Sequence, residues 1–129
     1  MPNCKDCIYY TENYCRELNN MAAPSDPICE IFKPIVRIYI SGPITHMPNL
    51  NKKAFERAEG YLETLCYSIV NPLNLRHKKE ALWRDYMKTD IGALMDCNKI
   101  YMLKGHEASA GAAIELNLAM LLGIEVMYE

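Results

Sequence analysis

One carboxylate in this chain has no obvious partner. Glu115 lies in the middle of SAGAAIELNLAMLL, Ser109 to Leu122, where nearly every other position is Ala, Ile, Leu or Met and no Lys or Arg occurs. The pattern predicts a helix that is apolar on nearly every side and buried on most faces. A charged carboxylate in such surroundings is costly unless hydrogen bonds or a cation compensate it. Glu115 is therefore either half of an ion pair completed from elsewhere or a reactive group facing a cavity. Two further residues extend the second reading. Asp90 borders the apolar stripe of another predicted helix, and Tyr39 falls in a β-branched, aromatic run. Two carboxylates and a phenol suit chemistry at an anomeric carbon, where one carboxylate attacks and a second acid assists the departing group. The attacking group must stay ionised, so it needs a donor such as the Tyr39 hydroxyl. The assisting acid needs the opposite, surroundings that raise its pKa.

The elements that must position these groups follow from periodicity. Ile35 to Thr45 begins as a buried strand and turns sharply at Ser41-Gly42-Pro43. A helix is expected from about Lys52 to Cys66, with Asn49 or Asn51 as N-cap and Ala54, Phe55, Ala58, Tyr61, Leu62 and Leu65 as its buried stripe. Tyr67 to Val70 reads as a second strand. The helix from about Trp83 to Asp96 carries the stripe Tyr86, Met87, Ile91, Leu94 and Met95. Lys99 to Leu103 and Ile124 to Tyr128 read as the third and fourth strands, either side of the Glu115 helix.

Alternating strands and helices predict an α/β fold, a flavodoxin- or Rossmann-like parallel four-stranded sheet in the order 2-1-3-4 with helices on both faces. Ligands of such sheets sit beyond the carboxyl ends of the strands where the order reverses, here between the first and third strands. The loops entering that crevice are Ser41 to Leu50 and Lys104 to Ser109, which place His46 and His106 beside it. Neither Ser41-Gly42-Pro43 nor Ser109-Ala110-Gly111 has the spacing of a nucleotide fingerprint. Both offer hydroxyls and backbone N–H groups suited to a phosphate or sugar hydroxyl. The basic run Arg76-His77-Lys78-Lys79 reads most simply as a solvated loop, with a phosphate contact the alternative, and Trp83 as packing, with base stacking the alternative. A final covering helix is missing, so a second copy of the chain or the N-terminal segment is expected to cover the sheet.

Length and composition bound the rest. At 129 residues, half of them hydrophobic, the chain suits one compact domain, residues 34–129, with a small appendage, residues 1–33. A net charge of −2 gives no broad attraction for nucleic acid or anionic membrane. No run is long and apolar enough to span a bilayer, and the polar start MPNCKDC lacks a signal-peptide core, so a cytoplasmic location is expected. The appendage holds Cys4, Cys7, Cys15 and Cys29 among turn formers. So short a segment needs a cross-link or metal to hold it, and four thiolates suit structural zinc, with an iron–sulfur cluster as the alternative. Cys66 and Cys97, near helix ends, read as core thiols.

Several stretches together carry a resemblance: RIYISGPIT, NLNKKAFERAEGYL, NPLNL, WRDYMKTDIGALMDCNKIYMLKG and SAGAAIELNLAMLLGIEVMY. In order and spacing, residues 36 to 128 resemble the nucleoside 2-deoxyribosyltransferase-like family, which includes 2′-deoxynucleoside 5′-monophosphate N-glycosidases. The resemblance implies that Glu115 is the nucleophile on the deoxyribose anomeric carbon, that Tyr39 orients it, and that Asp90 contacts the base or assists its departure. It implies that Ser41 and Gly42 lie by the sugar and its 5′ substituent, with Ser109 and Gly111 at the opposite lip; Pro43 and His46, on the same crevice loop, are further substrate-binding candidates. It further implies a site completed by a neighbouring subunit of a homodimer or higher homo-oligomer. Members often show Asp where this chain has Asn98, and the cysteine segment is foreign to the best-known enzymes. A non-catalytic nucleotide sensor with a metal-stabilised interaction module is the alternative, since fold does not fix function.

The cysteine reading has a direct check. Elemental analysis of purified protein should find one zinc per chain, lost when Cys4 and Cys7 are replaced by Ser; colourless, metal-free protein would contradict it.

Overall fold

The computed structural model describes residues 10–11, 14–15, 20–21, 35–65 and 67–129. The chain forms two compact units, Met1–Ile35 and Val36–Glu129. The first contains three short strands, β1 (Tyr10–Thr11), β2 (Tyr14–Cys15) and β3 (Asn20–Met21), paired antiparallel in that order. Cys4, Cys7 and Cys29 lie outside the described residues, and Cys15 is described only as backbone of β2, so the expected metal site falls outside them as well. Cys66 is likewise outside.

The second unit alternates β4 (Arg37–Ser41), α1 (Lys52–Thr64), β5 (Ser68–Val70), α2 (Trp83–Met95), β6 (Lys99–Met102), α3 (Ala110–Leu121) and β7 (Glu125–Tyr128). Its four strands are all parallel, in the order β5-β4-β6-β7. Counted from β4 this is 2-1-3-4, as the alternation of elements predicted.

The strand period of two decides which face each side chain serves. Ile38 and Ile40 of β4 pack with Phe55, Ala58 and Leu62 of α1 on one face. Tyr39 points to the other face, where Leu94 of α2 and Ala112 and Ala119 of α3 close over it. Ser41, two residues on, is also buried. The face of β4 that carries Tyr39 and Ser41 is thus the face covered by the helix of Glu115.

Several expected stripes are narrower than the sequence suggested. On α1 Tyr61 is exposed, as is Leu65 just past its end, and on α2 so are Tyr86 and Met95. The larger correction concerns α3. Ala112, Glu115 and Ala119 are buried, but Ile114, Met120, Leu121 and Leu122 face outward, Leu121 with 74% of its surface exposed. An all-apolar helix packed on one side of a four-stranded sheet has only one face to bury within its own chain. No helix among the described residues is long and apolar enough to cross a membrane.

The segment between β4 and α1 is held in an unusual backbone. Asn51 occupies the N-cap position of α1, yet its side chain makes no capping bond there; instead it donates to the Pro43 carbonyl at 3.0 Å. The expected Asn cap is therefore replaced by a brace across the loop. His46, Asn49, Leu50 and Asn51 all have left-handed φ, between 50° and 65°. That conformation costs roughly 1–2 kcal/mol for a residue with a Cβ, and least for Asn. At the start of this segment, Gly42 has no room for a side chain, since a Cβ there would lie 2.8 Å from Leu103 Cβ. Leu103 is fully buried and cannot swing away. Gly42→Ala should therefore lower stability by about 1–3 kcal/mol, seen as a fall in Tm; an unchanged Tm would show that the β4 end gives way easily.

Candidate active site

At the carboxyl ends of β4 and β6 lies a cavity of about 490 Å³, within the range of small-ligand sites. Of the residues singled out in the sequence, Gly42, His46, Asp90, Ser109, Gly111 and Glu115 line it. Tyr39 and Ser41 are buried beside Glu115, and Pro43 is buried and braces the loop through its carbonyl. His106 does not reach the cavity; its ring lies 5.9 Å from that of Tyr128.

Each group is placed by a local feature. Ser109 caps α3, its hydroxyl accepting from the Ala112 N–H at 3.2 Å. It thereby fixes the helix start at the lip and points the first turn at the cavity. Gly111 lies in that turn, and a Cβ there would approach Met87 Sδ to 3.0 Å. Glu115 is one turn further in, only 6% exposed. No cation pairs with it, so the ion-pair alternative does not hold among the described residues. Among the described residues, its Oε2, the Tyr39 hydroxyl and the Ser41 hydroxyl are buried without a partner at full hydrogen-bond geometry, and the two hydroxyls lie near enough to act on the Glu115 carboxyl. Three convergent polar atoms left open in this way are rare in a folded core, where nearly all are paired.

The electrostatics follow from that burial. Desolvation pushes Glu115 up to about 8, with the Asp90 charge adding to it, while the nearby Tyr39 and Ser41 hydroxyls oppose the rise. Desolvation foremost, together with the Glu115 and Asp90 charges, holds the Tyr39 phenol far above its ordinary range. It stays a neutral donor. Burial also raises Asp90, against a contact from His77 Nε2 to its Oδ1 at 3.2 Å. Cys97 is a buried core thiol raised to about 11 by desolvation.

His77 was not legible as a site residue. It sits in a basic run and meets Asp90 from 13 positions away, and no spacing rule links a loop histidine to a helix aspartate. Its ring also lies 4.3 Å from that of Tyr86. The hydrophobic lining from Ile44, Leu50, Pro72, Trp83, Tyr86 and Met87 completes the cavity. Among the described residues no group of three or more His, Cys, Asp or Glu side chains is placed to hold a metal ion.

An open-crevice α/β sheet with two acids and a phenol at its switch point defines a class of small-ligand site. Residues 36–128 match the family described as Domain of unknown function (DUF4406), and the chain belongs to that family. No curated protein sequence matches it. Among solved structures, the chain is similar to a 2-deoxyribosyltransferase from the psychrotolerant bacterium Bacillus psychrosaccharolyticus. The TM-score is 0.58 and the identity 21%, over 72% of this chain and 71% of that one. At that identity the likeness is one of fold.

The raised Glu115 pKa makes a stability prediction. In the folded chain Glu115 keeps its proton up to about pH 8, against 4.5 for an ordinary Glu. Between those values the folded state binds more protons than the unfolded state, so this contribution is lost as pH rises through about 8. Glu115→Gln should raise Tm, little at about pH 5 and by the equivalent of a few kcal/mol at about pH 9. A variant destabilised at both pH values would mean that Glu115 serves the fold.

Proposed function

We propose that this protein cleaves or transfers the N-glycosidic bond of small 2′-deoxynucleosides or their 5′-monophosphates. The observation that carries the reading is Glu115, buried without a cation among the described residues and facing the cavity with the Tyr39 and Ser41 hydroxyls turned toward it. A Glu oxygen attacks the anomeric carbon as the bond to the base nitrogen breaks, and the base leaves with that electron pair. Asp90 and His77 together supply the proton it takes up. Tyr39 and Ser41 donate to the Glu115 carboxylate as it ionises, offsetting the burial that otherwise keeps it neutral. Water or a second base nitrogen then attacks the same carbon and releases the carboxylate. The fold shared with a 2-deoxyribosyltransferase supports this chemistry.

The exposed apolar side of α3 supports a second part of the reading. Ile114, Met120, Leu121 and Leu122 meet another copy of the chain, which makes the working form a homodimer or higher homo-oligomer. The four N-terminal cysteines hold a structural metal that takes no part in the reaction.

The test is a screen of deoxynucleosides and deoxynucleotides for free base by chromatography, wild type beside Glu115→Gln. The wild type should release base and the variant should lose activity by at least about a thousandfold, the scale of losing an essential nucleophile. Tight nucleotide binding without base release would favour a sensor. The pH profile gives a second check. The kcat/KM should rise with pH as Glu115 ionises near 8. Tyr39→Phe removes a donor that lowers the Glu115 pKa, so it should move the rising limb to higher pH. A limb unmoved by Tyr39→Phe would contradict the role given to the phenol.

A further inference from the structure

The wall opposite the α3 lip has a direction. Trp83, Tyr86, Met87 and Asp90 of α2 all face the cavity, a spacing of i, i+3, i+4 and i+7 that puts them on one helix face. Along roughly 10 Å of helix, that face changes from a carboxylate beside Glu115, through a thioether, to two aromatic rings. The rings differ in their company. Tyr86 already lies against His77, 4.3 Å between centroids. Trp83 has no aromatic or cationic partner among the described residues and is half exposed in the first turn of α2, while still lining the cavity. An indole held at a cavity mouth with a bare face is a stacking surface.

Resting on the function proposed above, the anomeric carbon lies at Glu115 and the departing nitrogen on the Asp90 side. The base then extends along the α2 face toward its N-terminus. We propose that Trp83 is the specificity-determining platform of the site. Its indole stacks on the base and favours purines over pyrimidines, because a bicyclic base covers more of it. Stacking reads no hydrogen-bonding edge, so selection is by ring area and tolerant of exocyclic groups.

Trp83 is the single tryptophan of the chain, so its fluorescence reports on this contact alone. Glu115→Gln protein, which binds without turning over, is titrated with 2′-deoxyadenosine and 2′-deoxycytidine, by fluorescence and by calorimetry. Saturable quenching is expected, with the purine bound roughly tenfold more tightly. In kinetics with the other residues unchanged, Trp83→Leu should raise KM for the purine substrate about tenfold with kcat nearly unchanged. The purine-to-pyrimidine ratio of kcat/KM should fall toward one, and Trp83→Phe should restore most of it. A packing role would leave that ratio alone. Calorimetric binding without any fluorescence change, or an unchanged ratio in Trp83→Leu, overturns the role of Trp83 and leaves the glycosidic reading standing. If neither nucleoside binds and no base is released by wild type, both readings fall together.

Discussion

The site depends on an uncompensated burial. Glu115 is placed where its charge is disfavoured, on a helix otherwise apolar and on the sheet face that carries Tyr39 and Ser41. Among the described residues no cation pairs with it. Such an arrangement persists only if the surrounding fold over-determines it, since a carboxylate left unpaired subtracts from stability instead of adding to it. The rest of the second unit can be read as the scaffold that does so. Alternation in β4 sends Ile38 and Ile40 into the α1 core and leaves Tyr39 for the opposite side. The Ser109 cap fixes where α3 begins, and therefore where its sixth residue falls.

The two acids are not equivalent, and that inequality is what glycosidic chemistry requires. Glu115 has the Tyr39 and Ser41 hydroxyls beside it, groups that support a negative charge without cancelling it. Asp90 has a histidine, which can hold or pass a proton. The Asp90 charge adds to the burial that raises Glu115, and a cation-like sugar beside Glu115 would relieve that cost. The neutral phenol of Tyr39, kept protonated above all by its burial and further by the neighbouring carboxylates, is a fixed donor throughout.

Much of the second unit was legible in the sequence. Helical spacing in residues 52–64 and 83–95 and the β-branched run at 37–41 gave elements that match to within a residue or two, and their alternation gave the sheet order. Glu115 and Asp90 stood out because an acid on an apolar face is a local anomaly that needs no coordinates to notice. What could not be read was whatever depends on a distant partner. His77 belongs to the cavity only because the chain between β5 and α2 folds back onto Asp90. The Asn51 side chain chose the Pro43 carbonyl over the helix start, a choice set by the left-handed run before it. The outward side of α3 looked like core because hydrophobicity does not say whether the covering surface belongs to the same chain.

The central claim is that burial keeps Glu115 uncharged near neutral pH. Infrared difference spectra of the wild type against Glu115→Gln, recorded across a pH titration, isolate the stretch of this one carboxyl group. The account predicts a protonated carboxyl band that gives way to carboxylate near pH 8. An ionisation midpoint near 4.5, as for an ordinary solvated glutamate, would contradict it.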